Sequence, residues 1–203
     1  GQPLPTRPDA GASQGPVVKR VALEQNWTLR VGQEVLQLDR LRPWSTLPGL
    51  EYYSGVATYR TSFSLEVGSL NPGCSIWLWL GEGKPTGSPP PPVRRGQPYA
   101  APWEAPVREA ALVRINGQQA GAVWCPPYEI EITGLVKPGR NEVEIEVGNT
   151  AMNAMAGRAL PEYRLLWLRY GRRFQPQDMD RVAPLASGLA GPVEVVIRQG
   201  RPN

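Results

Sequence analysis

The sequence predicts an all-β fold: an antiparallel β-sandwich of the jelly-roll kind, with one short helix and a long proline-rich loop. Three observations carry this. Proline (23) and glycine (22) make up about a fifth of the 203 residues, which interrupts the chain too often for long helices. Apolar and polar residues alternate with period two in separate stretches, as in strands buried on one face. Those stretches recur at short spacing with turn residues between them, as a sandwich requires.

Taken in order, residues 1–16 (GQPLPTRPDAGASQGP) have a linker's composition, and 17–203 form one sandwich domain. Lacking an initiator Met and a signal peptide, the chain reads as a piece of a longer polypeptide. Trp27–Val31 and Val35–Leu38 are strands around a turn at Gly32. Residues 41–48 form a bend carrying Trp44. Gly55–Val67 alternates over its whole length, with Ala57, Tyr59, Thr61, Phe63 and Leu65 on the inward side. Ile76–Leu80 (IWLWL) is almost wholly apolar and belongs in the middle of a sheet.

Residues 81–106 break the pattern with four consecutive prolines, which no ladder strand accommodates, so this is a long loop. Ala110–Ile115 and Ala120–Trp124 are paired around Asn116-Gly117, whose residues suit the positive φ of a type I′ hairpin turn. Cys125-Pro-Pro-Tyr128 makes a corner, and Glu129–Ile132 and Glu142–Val147 are further strands. Thr150–Ala159 is the one helix, with Thr150 at its N-cap and Asn149 and Asn153 available for capping. Tyr163–Tyr170 (YRLLWLRY) is read as strand or extended chain, 182–191 as loop, and Val193–Arg198 as the last strand. The total is eight or nine strands.

Several function classes are excluded. The net charge is +4, and arginine doublets occur only at Arg94–Arg95 and Arg172–Arg173, without the clustered footprint that nucleic acid demands. No apolar run reaches the ~18 residues of a membrane helix. Histidine is absent, which removes Ser-His and Cys-His nucleophile pairs and imidazole metal sites. Two cysteines, Cys74 and Cys125, make no disulfide scaffold; they are buried free thiols, or a single bridge in an oxidising compartment.

A family resemblance lies in the order of five segments: residues 53–63 (YSGVATYRTSF), 113–117 (VRING), 121–128 (GAVWCPPY), 132–135 (ITGL) and 139–149 (GRNEVEIEVGN). Together they resemble the galactose-binding-like β-sandwich domain of family-two glycoside hydrolases. With 160–163 (LPEY), 170–171 (YG) and 187–191 (SGLAG), the chain more closely resembles the C-terminal domain of α-L-rhamnosidases of glycoside hydrolase family 106. The resemblance runs from about Val21 to Arg198, but the insertion at 81–106 departs from it. It implies a non-catalytic domain in a secreted or periplasmic bacterial enzyme. The implied partners are a catalytic barrel of the same polypeptide and a plant or bacterial polysaccharide containing rhamnose. A structural Ca²⁺ occurs in such sandwiches, but only Asp178 and Asp180 form a close Asp pair, and no metal or other cofactor is assigned.

Glycoside hydrolysis needs two carboxylates flanking a cleft. Glu129 and Glu131, like Glu142, Glu144 and Glu146, sit two apart on strands, with Cβ atoms about 6.7 Å apart on one face. Glutamate alternating with Val or Ile is also how a solvated sheet face is written, and that reading is preferred to a self-sufficient glycosidase. Sugar binding asks instead for an exposed aromatic beside polar groups. The insertion supplies Trp103, Tyr99, Arg94, Arg95 and Glu104, and Tyr52 and Tyr53 precede a strand. Two readings of Tyr99 and Trp103 stand: contact with sugar, or packing of the loop onto the sandwich or a catalytic domain. Trp124, Pro127 and Tyr128 are read as a structural corner, and Trp44, Trp77, Trp79 and Trp167 as core or interface.

Overall fold

The computed structural model describes residues 15–71, 73–85, 103–158, 163–171 and 183–199. The strands of its first half are β1 (Val17–Ala22), β2 (Trp27–Val31), β3 (Glu34–Leu38), β4 (Val56–Leu65), β5 (Cys74–Trp79), β6 (Lys84–Pro85) and β7 (Trp103–Glu104). Then come β8 (Val107–Arg108), β9 (Ala110–Ile115), β10 (Gln118–Val123), β11 (Glu129–Glu131) and β12 (Gly139–Gly148). Helices α1 (Met152–Ala156) and α2 (Tyr163–Tyr170) precede β13 (Gly188–Leu189) and β14 (Glu194–Gln199).

Two antiparallel sheets form the body. One has the order β10-β9-β12-β4-β2-β3, the other β1-β14-β5-β11. The period-two alternation decides which face of each strand is buried. Ala57, Tyr59, Phe63 and Leu65 of β4, and Val143, Ile145 and Val147 of β12, point inward, as do Ile76 and Leu78 of β5 and Val195 and Ile197 of β14. Residues of both sheets merge into one hydrophobic cluster. Asn116 (φ 52°) and Gly117 (φ 80°) close the β9–β10 hairpin with the positive dihedrals that their identities suggest. Two edge strands depart from a regular ladder: β1 shifts register between Val17 and Lys19, and β10 between Gln119 and Gly121.

The centre of the core is aromatic and hydrogen-bonded. Trp27 meets Tyr59 edge to face at 6.3 Å, and Trp44 meets Tyr53 at 5.3 Å. The Trp27 indole N–H donates to the Leu23 carbonyl at 2.7 Å. The Tyr59 hydroxyl accepts from the Leu189 amide at 3.1 Å, tying β13 to β4. Burial pushes the Tyr59 phenol up to about 12, opposed only in part by that amide.

Some sequence expectations are corrected. Tyr163–Tyr170 is the helix α2, not a strand. It contains no β-branched residue and is rich in Leu and Arg, which lose little rotamer freedom in a helix. The helix expected over Thr150–Ala159 is only the five residues of α1, with Ala151 at the N-cap position and no side-chain cap. Short ladders also run through segments read as loops: β6 pairs with β7, and β13 with β8. Residues 86–102, like 1–14, lie outside the described part. Cys74 and Cys125 are half-buried and unpaired.

Gly188 has φ +89°, and a Cβ there would fall 2.6 Å from Trp44 Nε1 and 2.7 Å from Tyr59 Oη. Gly188→Ala therefore overpacks the core centre and should lower unfolding free energy in urea by roughly 1–3 kcal/mol. Gly68→Ala, where no atom lies within 4 Å, should stay within about 0.5 kcal/mol.

Tyr59 predicts a pH dependence. Its folded value of about 12 lies above the unfolded 10.0, so its contribution is complete below pH 10 and fades as pH rises toward 12. The two-unit difference is worth roughly 2–3 kcal/mol. Urea unfolding across that range should show the loss, and Tyr59→Phe should flatten it.

Candidate functional site

The outer face of the four-stranded sheet holds the most concentrated chemistry among the described residues. β5 turns Ile76 and Leu78 inward, so period two sends Trp77 and Trp79 outward, where both remain half-buried. Each indole is covered by a guanidinium. Arg198 of β14 lies 5.2 Å from the Trp77 ring centroid and Arg20 of β1 lies 5.5 Å from that of Trp79. Each guanidinium also holds a carboxylate. Arg198 Nη2 donates to Glu129 Oε2 at 2.7 Å, and Arg20 Nη1 to Glu194 Oε2 at 2.6 Å. The register explains the geometry. Arg198 is opposite Ser75 and Glu129 is opposite Trp79, so the arginine crosses over Trp77 to reach its partner.

The Glu129–Arg198 pair is withdrawn from water, with side chains 5% and 9% exposed. The reading of Glu129 as part of a solvated face is thus corrected: the alternation located its face correctly but could not show that an arginine two strands away would cover it. Arg198 Nη1 is buried without a hydrogen-bond partner among the described residues. The Glu142–Glu146 face does follow the expected pattern. Glu144 accepts from Arg60 at 2.6 Å and from Arg114 at 3.0 Å, so both of its oxygens are engaged.

Beside Trp79 the chain forms an open cleft of about 470 Å³, within the range of small-molecule sites. Arg20, Trp79, Glu82, Trp103, Tyr128 and Glu129 line it, with backbone from Gly81, Gly83 and the Pro126-Pro127 corner. Trp103 is 38% exposed. The β6–β7 ladder positions it, pairing Trp103 with Pro85 and Glu104 with Lys84. Its indole lies so close over Gly83 that no Cβ would fit there. Arg108 donates to the Trp103 carbonyl at 3.0 Å and steadies the strand.

Trp103 thus lines the cleft, and Glu104 follows it on β7, exposed. Tyr99, Arg94 and Arg95 lie outside the described residues. Tyr52 is exposed on a different loop and lies against Gly157. Tyr53 turns inward: its hydroxyl donates to the Val56 carbonyl at 2.8 Å and its ring packs on Trp44. The asparagines expected to cap the helix staple loops instead. Asn149 accepts from the Gly55 amide at 2.8 Å and donates to the Tyr53 carbonyl at 2.9 Å. Buried Asn153 donates to the Leu185 carbonyl and accepts from its amide, both at 2.9 Å. At the Cys-Pro-Pro corner Tyr128 is buried, while Trp124 is exposed. Trp44 is core, whereas Trp167 is exposed on α2. Sequence reasoning missed Trp79, Arg20 and Glu82. The alternation of IWLWL marks the face of Trp79, but its neighbours there come from strands distant in sequence.

No protein-family model matches the chain. A rhamnosidase structure from Novosphingobium sp. PP1Y superposes with a TM-score of 0.64 at 27% identity, covering 92% of this chain and 16% of that one. A Bifidobacterium dentium β-glucuronidase, solved with coumarin-3-O-glucuronide, shares the fold at TM-score 0.54 and 15% identity, over 89% of this chain and 30% of that one. A Formosa agariphila protein, provisionally named a β-glucuronidase, is 27% identical over 124 residues, 60% of this chain and 9% of its own length. The chain therefore spans only a small part of these relatives.

The buried ion pair makes a stability prediction. Arg198→Met leaves Glu129 buried without that guanidinium and should cost about 3–5 kcal/mol in urea unfolding. Adding Glu129→Leu should recover most of the loss. In its fold and its relatives, this chain is a β-sandwich domain of the kind associated with glycoside hydrolases.

Proposed function

We propose that the chain is a non-catalytic, carbohydrate-binding-type accessory domain of a secreted or periplasmic rhamnosidase-like enzyme of glycoside hydrolase family 106. In this reading the catalytic barrel belongs to the same polypeptide and acts on rhamnose-containing plant or bacterial polysaccharide. The domain itself contacts sugar through Trp103. The observation that carries the reading is the superposition on 92% of this chain but only 16% of a rhamnosidase. The site supports it. Of the five carboxylates weighed for catalysis, two are tied to arginine, Glu144 between two and Glu129 beneath one. A general acid must hold a proton it can deliver to the leaving group, and these groups act as acceptors of guanidinium hydrogen bonds. Trp103 offers an aromatic surface at a cleft with polar groups around it.

A second reading, in which the domain only buttresses the barrel, draws support from α2. Leu165, Trp167, Leu168 and Tyr170 are all exposed on this short helix, a concentration of apolar surface that suits a covered face.

The 203-residue chain should release no aryl alcohol from aryl α-L-rhamnosides or aryl β-D-glucuronides. Turnover abolished by Glu129→Gln or Glu82→Gln would overturn the non-catalytic reading. In a glycan array the chain should retain rhamnose-containing oligosaccharides, and Trp103→Ala should reduce that retention about tenfold. Failure to retain any glycan would favour the buttress.

A further inference from the structure

Resting on the reading that this domain contacts sugar, we propose that the cleft between Trp79 and Trp103 takes a neutral pyranose and discriminates against uronates and sulfated sugars. A pyranose presents an apolar C–H face and a rim of hydroxyls. The cleft supplies indole at Trp79 and Trp103, with proline at the Pro126-Pro127 corner, for the first. The Glu82 carboxylate, exposed at its edge, accepts from the second.

An anionic sugar is drawn most strongly to a cation whose charge is not already offset. The two arginines associated with this face each have their charge offset by a carboxylate. Arg20 is held by Glu194 at 2.6 Å over Trp79, and Arg198 by Glu129 at 2.7 Å over Trp77. Lys84 stands directly opposite the acidic Glu104 across the β6–β7 ladder. Of the charged groups that line the cleft, Glu82 is left without a partner among the described residues. Among the described residues that line the cleft, the charge left unpaired is thus that of a carboxylate, which repels a second one at close range.

The test compares ligands that differ only in that charge. The 203-residue chain is titrated with methyl β-D-glucopyranoside, methyl β-D-glucuronide and methyl α-L-rhamnopyranoside. Calorimetry and the indole ¹H–¹⁵N resonances of Trp79 and Trp103 report binding. At least one neutral glycoside should shift both indole resonances, and the glucuronide should bind at least about fivefold more weakly than the glucoside. Trp103→Ala should weaken neutral binding about tenfold, with near-UV circular dichroism confirming a folded chain. Glu82→Gln should narrow the gap between glucoside and glucuronide without abolishing neutral binding, and it leaves the core untouched. Glucuronide binding equal to or tighter than that of the glucoside would overturn the neutral-sugar assignment while leaving sugar contact intact. Binding that shifts neither indole would overturn the location. No binding by any of the three would remove the sugar-contact reading itself.

Discussion

Two guanidinium groups laid across two indoles govern the outer face of the smaller sheet. A strand with one face in the core must do something with its other face. In β5 that face carries Trp77 and Trp79, too large and too apolar to leave bare. Arg198 and Arg20 cover them, and each is anchored by a glutamate from a neighbouring or nearby strand. The arrangement joins β1, β14, β5 and β11 through side chains as well as through the ladder. It also pairs the two arginines of this face with carboxylates.

Loop positions depend on a different device. Asn141, Asn149 and Asn153 each use both ends of the amide to bond backbone groups. An amide is suited to this because it carries donors and an acceptor without charge, so burial imposes no ionic desolvation. Asn153 joins α1 to the segment before β13, and β13 in turn reaches Tyr59 in the core. The loops are thus fixed by polar contacts to a body that is held together by apolar ones.

The body was legible in the sequence because alternation reports burial directly. The residues of β4 and β12, the Asn116-Gly117 hairpin and the central place of β5 follow from local pattern. Local pattern could not reveal what distant strands bring together. Glu129 and Arg198 are 69 residues apart, and nothing near either one distinguishes a buried pair from two solvated charges. The same holds for the cleft. Trp103 stood out as an aromatic on a proline-rich segment, whereas Trp79 and Arg20 matter only through their placement beside it. For Tyr163–Tyr170 the apolar run carried no usable period, and the absence of β-branched side chains was the missed signal.

The register shifts in β1 and β10 have a consequence for how the sandwich meets other β-structure. Both strands lie at sheet margins, where unsatisfied amides and carbonyls invite another chain to add itself. A local kink spoils that template, and on β1 the cations Lys19 and Arg20 further discourage an incoming strand. A strand arriving at either of these two margins meets a broken template, whereas the regular ladder of β3 leaves the opposite margin of the larger sheet open to pairing.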